Sequence, residues 1–270
     1  MLKFSLLMSV YAKDNPNHLR LAMESVINSS VIPDQFVIVF DGPVGEEIFE
    51  TIIFYHDKVN LNIIRLNENR GLGAALSAGI HECAYEWIAR FDSDDICVNT
   101  RFEKQISFIS DNPSLDIVGA WVSEFESDPL HVHAERRTPI SHCDLVRLAK
   151  HRNPFNHMTV MYKKSSVLAA GGYKNDYLYE DYALWVRMIQ NGCMTANIPE
   201  VLVHARTGNG MEVRRGGLKY VKSEVKAQYE FYKSGFISVI ELIKNLAIRV
   251  PVRLVPGSVR KFIYRQTLRR

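Results

Sequence analysis

Three carboxylates crowd into four residues at Asp92-Ser93-Asp94-Asp95, directly after the apolar run Trp87 to Phe91. Mutual repulsion raises the pKa of carboxyl groups packed this closely unless a cation compensates them. Hard oxygens at the end of a strand suit Mg²⁺ or Mn²⁺, which take one or two protein carboxylates and leave room for substrate phosphates. A solvated strand-to-helix turn, with Ser93 or Asp95 as N-cap, accounts for the same residues without a metal. A second acidic pair, Glu180-Asp181, opens the helical pattern Tyr182 to Gln190. Acids in a first helical turn complement the helix dipole. Facing a cleft, one of them could instead act as a general base on a hydroxyl nucleophile.

Other groups carry less. Asn69-Arg70-Gly71-Leu72-Gly73 lies between a strand and a helix, but Leu76 stands where G-x-G-x-x-G needs its third small residue, so a dinucleotide site is disfavoured. The segment reads as a glycine-permitted turn with Arg70 toward a cleft. His131-x-His133 lacks partners at zinc-like spacing and reads as a polar loop. His157 and His204 are uninformative taken singly.

The elements that must position these groups alternate. Phe4 to Val10, Phe36 to Phe40, Leu61 to Leu66 and Trp87 to Phe91 are apolar runs, and Leu19 to Asn28, Glu46 to Tyr55, Gly73 to Cys83 and Thr100 to Ser110 are helical. Such alternation predicts βαβ units and a mostly parallel sheet. Right-handed crossovers put the strand ends bearing Tyr11, Asp41, Asn67 and Asp92 on one edge, where ligands of open α/β sheets bind. Past residue 111 the pattern is irregular. Strands are expected at Ile117 to Val122, Thr159 to Tyr162 and Val201 to His204, a helix at Cys143 to Lys150, and a polar connection at His131 to Arg137.

A chain of 270 residues, 47% hydrophobic and 23% charged, has material for one large α/β domain or two small ones. Cys83, Cys97, Cys143 and Cys193 form no C-x-x-C pair and fit free thiols in a reducing cytoplasm. The opening apolar run reads as a first strand rather than a signal peptide, and no uncharged apolar stretch reaches the ~18 residues of a membrane span.

The ordered set Phe4-Ser5-Leu6-Leu7-Met8-Ser9-Val10-Tyr11, Val37-Ile38-Val39-Phe40-Asp41-Gly42, Asn67-x-Asn69-Arg70-Gly71, Phe91-Asp92-Ser93-Asp94-Asp95 and Glu180-Asp181-Tyr182-x-Leu184-Trp185 resembles the family 2 glycosyltransferases, inverting enzymes with the glycosyltransferase A fold. The likeness covers roughly residues 3 to 215 and is nearest the bacterial members that build O-antigen, capsule and exopolysaccharide. Two departures stand out: the first strand ends Ser-Val-Tyr rather than Pro-Thr-Tyr, and Asp41-Gly42-Pro43 replaces two adjacent acids followed by Gly-Ser. The resemblance implies a UDP-sugar donor, glucose or galactose, and a GlcNAc-diphospho-lipid or growing polysaccharide acceptor. It implies that Tyr11, Asp41 and Arg70 meet the base, that Asp92 approaches the ribose, and that Asp94, with Asp92 or Asp95, holds Mn²⁺ or Mg²⁺. Asp181 matches the catalytic base, with Glu180 beside it. His157 and Gly172 fall where related enzymes shape the acceptor side, and His204 and Arg206 where a loop could close over the diphosphate. On this basis residues 1–215 form the catalytic domain, 1–110 its nucleotide-binding half and 111–215 its acceptor half. A sugar-phosphate nucleotidyltransferase would need a glycine-rich basic loop where Tyr-Ala-Lys-Asp-Asn-Pro stands, and a non-catalytic nucleotide-sugar-binding module would have no need of Asp181.

Residues 216–270 read as a helical basic tail. No acid follows Glu241, while Lys244, Arg249, Arg253, Arg260, Lys261, Arg265, Arg269 and Arg270 do. Setting these eight aside leaves 25 basic against 30 acidic residues, so the body carries about −5 and lacks the basic face of a nucleic-acid binder. Phe236, Val239, Ile240, Ile243, Leu246, Ala247 and Val250 recur at helical spacing. Packing on the catalytic domain would explain them; adhesion to an anionic membrane surface would explain the unopposed cations as well. Pro251 is expected to end this helix or begin another. The expected place is the inner face of the cytoplasmic membrane, without a spanning helix.

Overall fold

Nearly every side chain of β1 (Phe4–Val10) and β2 (Gln35–Phe40) is buried, as happens when helices cover both faces of a parallel sheet. The computed structural model describes residues 2–208, 216–257 and 259–260. In chain order the elements are β1, α1 (Pro16–Ile27), β2, α2 (Glu46–Ile53), β3 (Leu61–Arg65), α3 (Leu72–Glu82), β4 (Trp87–Arg90), β5 (Ile96–Cys97), α4 (Arg101–Asp111), β6 (Leu115–Phe125), β7 (Val132–Arg136), α5 (His142–Ala149), a 3₁₀ turn (His157–Thr159), β8 (Met161–Lys163), α6 (Lys164–Ala169), α7 (Glu180–Gln190), β9 (Met194–Arg206), α8 (Leu218–Lys233) and α9 (Val239–Leu254).

One sheet runs through the molecule in the order β3-β2-β1-β4-β8-β6-β9-β5, with β7 paired to β6. Pairing is parallel from β3 through β4 and between β6 and β9, and antiparallel where β8, β7 and β5 join. Period-two alternation sorts the strands between two cores. Phe4, Leu6, Met8 and Val10 meet α1, α2 and α4, while Leu7, Val37 and Val39 meet α3 and α7. A third cluster joins α7 to Tyr220, Ala227 and Phe231 of α8 and to Phe236 and Ile237. This is the mostly parallel, helix-flanked α/β architecture that the sequence predicts.

Four expectations need correction. Residues 131 to 137 are not a loop: Val132–Arg136 pairs antiparallel with β6, since an edge strand needs backbone partners more than apolar side chains. The strand expected at 201 to 204 extends over Met194–Arg206, because Pro199 is accommodated where the β6–β9 register shifts between Ala120 and Trp121. Pro251 lies inside α9 rather than at its end. Finally, three of the tail cations are opposed. Arg249 and Arg253 pair with buried Glu224, and Arg260 donates to the carbonyls of Val252, Arg253 and Val255. Lys261, Arg265, Arg269 and Arg270 lie outside the described residues.

The end of β4 is fixed from within. Arg101 is fully buried; its Nη2 donates to Arg90 O at 2.9 Å and its Nε to Gln105 Oε1 at 3.0 Å, while its guanidinium stacks near Phe91 and Phe102. Gln105 passes the connection on to Thr159 O at 2.8 Å. Arg101→Met keeps the apolar stem but leaves buried acceptors unpaired, so urea denaturation should record a loss of roughly 3 kcal/mol.

Candidate active site

β4 delivers Asp92, Asp94 and Asp95 to the carboxyl edge of the sheet, and the β1–α1 turn brings a fourth carboxylate to them. Asn15 caps α1 through its side chain, with Pro16 at the first helical position. The turn ahead of it holds Asp14 Oδ2 against Ser93 Oγ (2.9 Å) and Tyr11 N (3.2 Å). Burial, followed by the charges of Asp92 and Asp14, pushes the Asp94 carboxyl up to about 6. Burial and the charges of Asp92 and Asp94 hold Asp95 well above the usual range, and burial raises Asp14. Three arginines oppose this charge. Buried Arg90 pairs with Asp92, and Arg101 senses Asp95. Arg206 donates its backbone N–H to Asp95 Oδ1 at 2.8 Å and its Nε to Asp94 O at 3.0 Å. Asp95 is enclosed and its Oδ2 has no partner among the described residues, and the same holds for Arg206 Nη2. Asp92 is the more open acid, its side chain 28% exposed.

These groups suit a hard divalent cation. Among the described residues no three His, Cys, Asp or Glu side chains form a ready metal cage. The orphaned Asp95 oxygen and the raised Asp94 carboxyl mark negative charge that this fold leaves undercompensated.

Beside the acids, Asp41 is buried at the end of β2. Its carboxylate accepts from Arg70 N (2.7 Å) and Gly71 N (3.0 Å), and Asn69 Nδ2 donates to its carbonyl at 3.1 Å. Asp41 thereby ties its own loop to the turn that begins α3, leaving the Arg70 side chain exposed. Gly42, at φ +86°, permits this approach; a Cβ there would lie 2.6 Å from Asn69 N. Gly73, the second residue of α3, allows another close approach: a Cβ there would fall 2.6 Å from Lys174 O and 2.8 Å from Glu180 Cγ. The start of α3, next to the turn bound by Asp41, is thus in direct contact with the Glu180 segment.

Asp181 Oδ2 accepts from Asn153 Nδ2 at 2.5 Å and Oδ1 from Tyr182 N at 2.7 Å. Burial pushes Glu180 up to about 7, with Asp181 and Asp176 adding to the shift. Leu178, just ahead of the pair, has φ +68°, a left-handed backbone that costs a branched residue roughly 1–2 kcal/mol. His157 Nε2 lies 3.1 Å from the Tyr173 hydroxyl, and its ring packs edge-on to Trp185. Burial and nearby Arg90 lower it to about 4, against the opposing charges of Asp181 and Asp92, so it is neutral at physiological pH. Its turn is anchored by Asn156 Nδ2 and Thr159 Oγ1 on Ala120 O.

Residues 5–168 match the profile of Glycosyl transferase family 2. The chain belongs to that family. It is 42% identical over 268 residues to a UDP-Gal:alpha-D-GlcNAc-diphosphoundecaprenol beta-1,3-galactosyltransferase of Escherichia coli, across 99% of this chain and 97% of that one. It is 38% identical to the amylovoran biosynthesis glycosyltransferase AmsE of Erwinia amylovora, across 97% of each. Among solved structures, a Pyrobaculum calidifontis mannosyltransferase in complex with GDP-Man and Mn²⁺ matches with TM-score 0.68 at 12% identity, over 98% of this chain and 75% of that one. The fold and the glycosyltransferase class are therefore those the motifs suggest, and the nucleotidyltransferase and non-catalytic readings fall away.

The structure brings Tyr11, Asp41, Asp92, Asp94, Asp95, Glu180, Asp181, His157 and Arg206 to the carboxyl edge. Gly172 follows α6, its carbonyl held by Arg187 Nη2 at 2.6 Å, one residue before the Tyr173 that meets His157. His204 sits within β9, its Nδ1 2.6 Å from Ser123 Oγ. Asp14 and Asn153 escaped the sequence reading. Asp14 stood at a recognised strand end, whereas Asn153 carries no pattern and is visible only through its contact.

A raised carboxyl pKa weakens the fold once the group is charged. Between the unfolded value near 4 and the folded value of about 6, the native state binds more protons, so Asp94 makes stability fall as pH rises. Metal-free wild type should gain about 1 kcal/mol relative to Asp94→Asn between pH 7.5 and 5.5, read from the difference in thermal midpoints.

Proposed function

We propose that this glycosyltransferase moves galactose from UDP-galactose to a GlcNAc unit on a diphospho-lipid, with inversion and formation of a β-1,3 linkage. The observation that carries this reading is the contact of the Asp41–Gly73 side with Glu180. It supports reading the Asp41 side as nucleotide-facing and Glu180-Asp181 as the acid–base pair of one cleft, in a chain 42% identical to the Escherichia coli galactosyltransferase. Asp41, Tyr11 and Arg70 meet the uracil, and Asp92 the ribose. Asp94, with Asp92 or Asp95, would hold Mn²⁺ or Mg²⁺, and the ion would supply Lewis-acid stabilisation of the UDP leaving group. Arg206, whose Nη2 lacks a partner among the described residues, offers a donor to the diphosphate, with His204 on the same strand. His157 and the Gly172 loop flank the acceptor.

Asp181 accepts the proton of the acceptor hydroxyl as its oxygen attacks the anomeric carbon. The bond from that carbon to the β-phosphate oxygen breaks on the opposite face and UDP leaves with the electron pair, so an α-linked donor gives a β-linked product. The bonds from Asn153 and Tyr182 N orient the Asp181 carboxylate. Glu180, at about 7, is the competing base. Asp181→Asn should keep UDP affinity while turnover falls roughly 10²-fold or more; a larger loss in Glu180→Gln with an active Asp181→Asn would move the role to Glu180. A UDP-sugar panel with a GlcNAc-diphospho-lipid analogue tests the donor, and UDP-glucose as the preferred donor would overturn galactose. EDTA should abolish turnover, with Mn²⁺ or Mg²⁺ restoring it.

We also propose that α9 lies on an anionic membrane surface at the cytoplasmic side. Its polarity is inverted. Asn245 and Arg253 are buried, whereas Ile240 is 75% exposed, Ile243 64% and Leu254 54%, and Ala247 and Lys244 are exposed among them. A helix with an apolar outer stripe beside basic residues suits the headgroup boundary, where a lipid-linked acceptor would be found. No helix among the described residues is long and apolar enough to cross a membrane. Ile240→Glu with Ile243→Glu, both already solvent-facing, should reduce sedimentation with anionic liposomes without lowering Tm. Equal binding by the double variant would overturn the assignment.

A further inference from the structure

We infer that the α8–α9 hairpin is a positioning element for the acid–base pair, acting through a buried cluster centred on Glu224. This rests on the assignment of Asp181 and Glu180 as the acid–base pair and extends it to residues some 40 to 75 positions downstream in the sequence.

Glu224 of α8 is fully enclosed. The Tyr179 hydroxyl donates to its Oε2, Arg253 Nη2 donates to the same oxygen at 3.1 Å, and Arg249 Nε stands 2.8 Å from Oε1. Tyr179 immediately precedes Glu180, and Leu178 before it holds a left-handed backbone. A strained residue persists only where its surroundings over-determine it. The Tyr179 anchor, reinforced by ring contacts to Tyr182 and Tyr220, supplies that constraint.

The same cluster reaches Asp181 from the other side. Arg249 Nη1 donates to His151 O at 2.8 Å, and Asn245 Nδ2 donates to Lys150 O at 2.8 Å. Two residues beyond His151, Asn153 donates to Asp181 Oδ2. The path Tyr179–Glu224–Arg249–His151–Asn153–Asp181 therefore closes on the carboxylate it begins beside. A surface hairpin needing only to stay attached could do so through the apolar contacts of Phe231, Phe236 and Ile237. A desolvated carboxylate shared between two arginines and one tyrosine adds directional constraint where the acid–base segment starts.

Tyr179→Phe removes one hydroxyl and leaves both arginines paired with Glu224. It should lower kcat about tenfold while donor KM and UDP affinity stay within twofold and Tm changes little. In an Asp181→Asn background the same substitution should cost nothing further, because a group that acts through Asp181 has nothing left to position. Glu224→Gln removes the charge that both arginines share and should lower kcat at least as far as Tyr179→Phe, with a fall in Tm that Tyr179→Phe does not show. Wild-type kcat in Tyr179→Phe, or an undiminished loss in the Asp181→Asn background, would overturn the inference. Failure of the base assignment reads out separately, as an active Asp181→Asn enzyme.

Discussion

Concentrating negative charge at the end of one strand is the constraint around which the polar interior is built. Asp14, Asp92, Asp94 and Asp95 share a region that is partly or wholly withdrawn from water, and burial with mutual repulsion raises Asp94 and Asp95 above ordinary carboxyl behaviour. Arg90 and Arg101 answer from the β4–α4 side and Arg206 from the end of β9. Burying the Arg90 and Arg101 guanidinia is itself unfavourable, and each of them, like half-buried Arg206, donates to a backbone carbonyl or a carboxylate. Those partners in turn fix β4, the β5 turn and the last residues of β9. The acidic end of the sheet is therefore tied together by its own hydrogen bonds, and the charge left undercompensated is of the kind a divalent cation would suit.

The same logic, with the sign exchanged, organises the other end of the molecule. There one carboxylate, Glu224, gathers Arg249, Arg253 and Tyr179, and α9 turns its polar residues inward as a result. An amphipathic helix normally buries its apolar stripe. Here charge pairing claims the inner face and leaves isoleucines outside, so one cluster sets both the attachment of the hairpin and the character of the surface it presents.

Legibility in the sequence followed the physics of each element. Buried parallel strands such as Gln35–Phe40 announce themselves as unbroken apolar runs, and the four strand ends carried the motif residues with them. β7 was hidden because an edge strand is defined by backbone pairing, and its polar side chains look like a loop. β9 was truncated because a proline at a register shift breaks the apparent run. The tail cations looked unopposed because Glu224, their partner, stands 25 and 29 residues away, on a different helix. Asn153 could not be found at all: a loop asparagine acquires meaning only from what lies across the cleft. The acidic groups were legible as local pattern at Asp92–Asp95 and Glu180-Asp181, and their partners were opaque because long-range hydrogen bonds bring them in.

β9 begins next to β6 in the second half of the chain and ends by pairing with β5 and capping Asp95. This return sets the seams along which such a protein can be recombined. A chimera that exchanged everything after residue 110 for the matching part of a relative would replace Arg206 along with 150–157 and 171–179, so any change sought in those segments would carry a change in the acidic cluster with it. Grafts confined to 150–157 and 171–179 would leave β9 and its arginine in place. Because Lys150, His151 and Tyr179 join those segments to α8 and α9, such grafts keep the acidic cluster but must carry the hairpin's partners with them, and the midpoint of the chain is no seam at all.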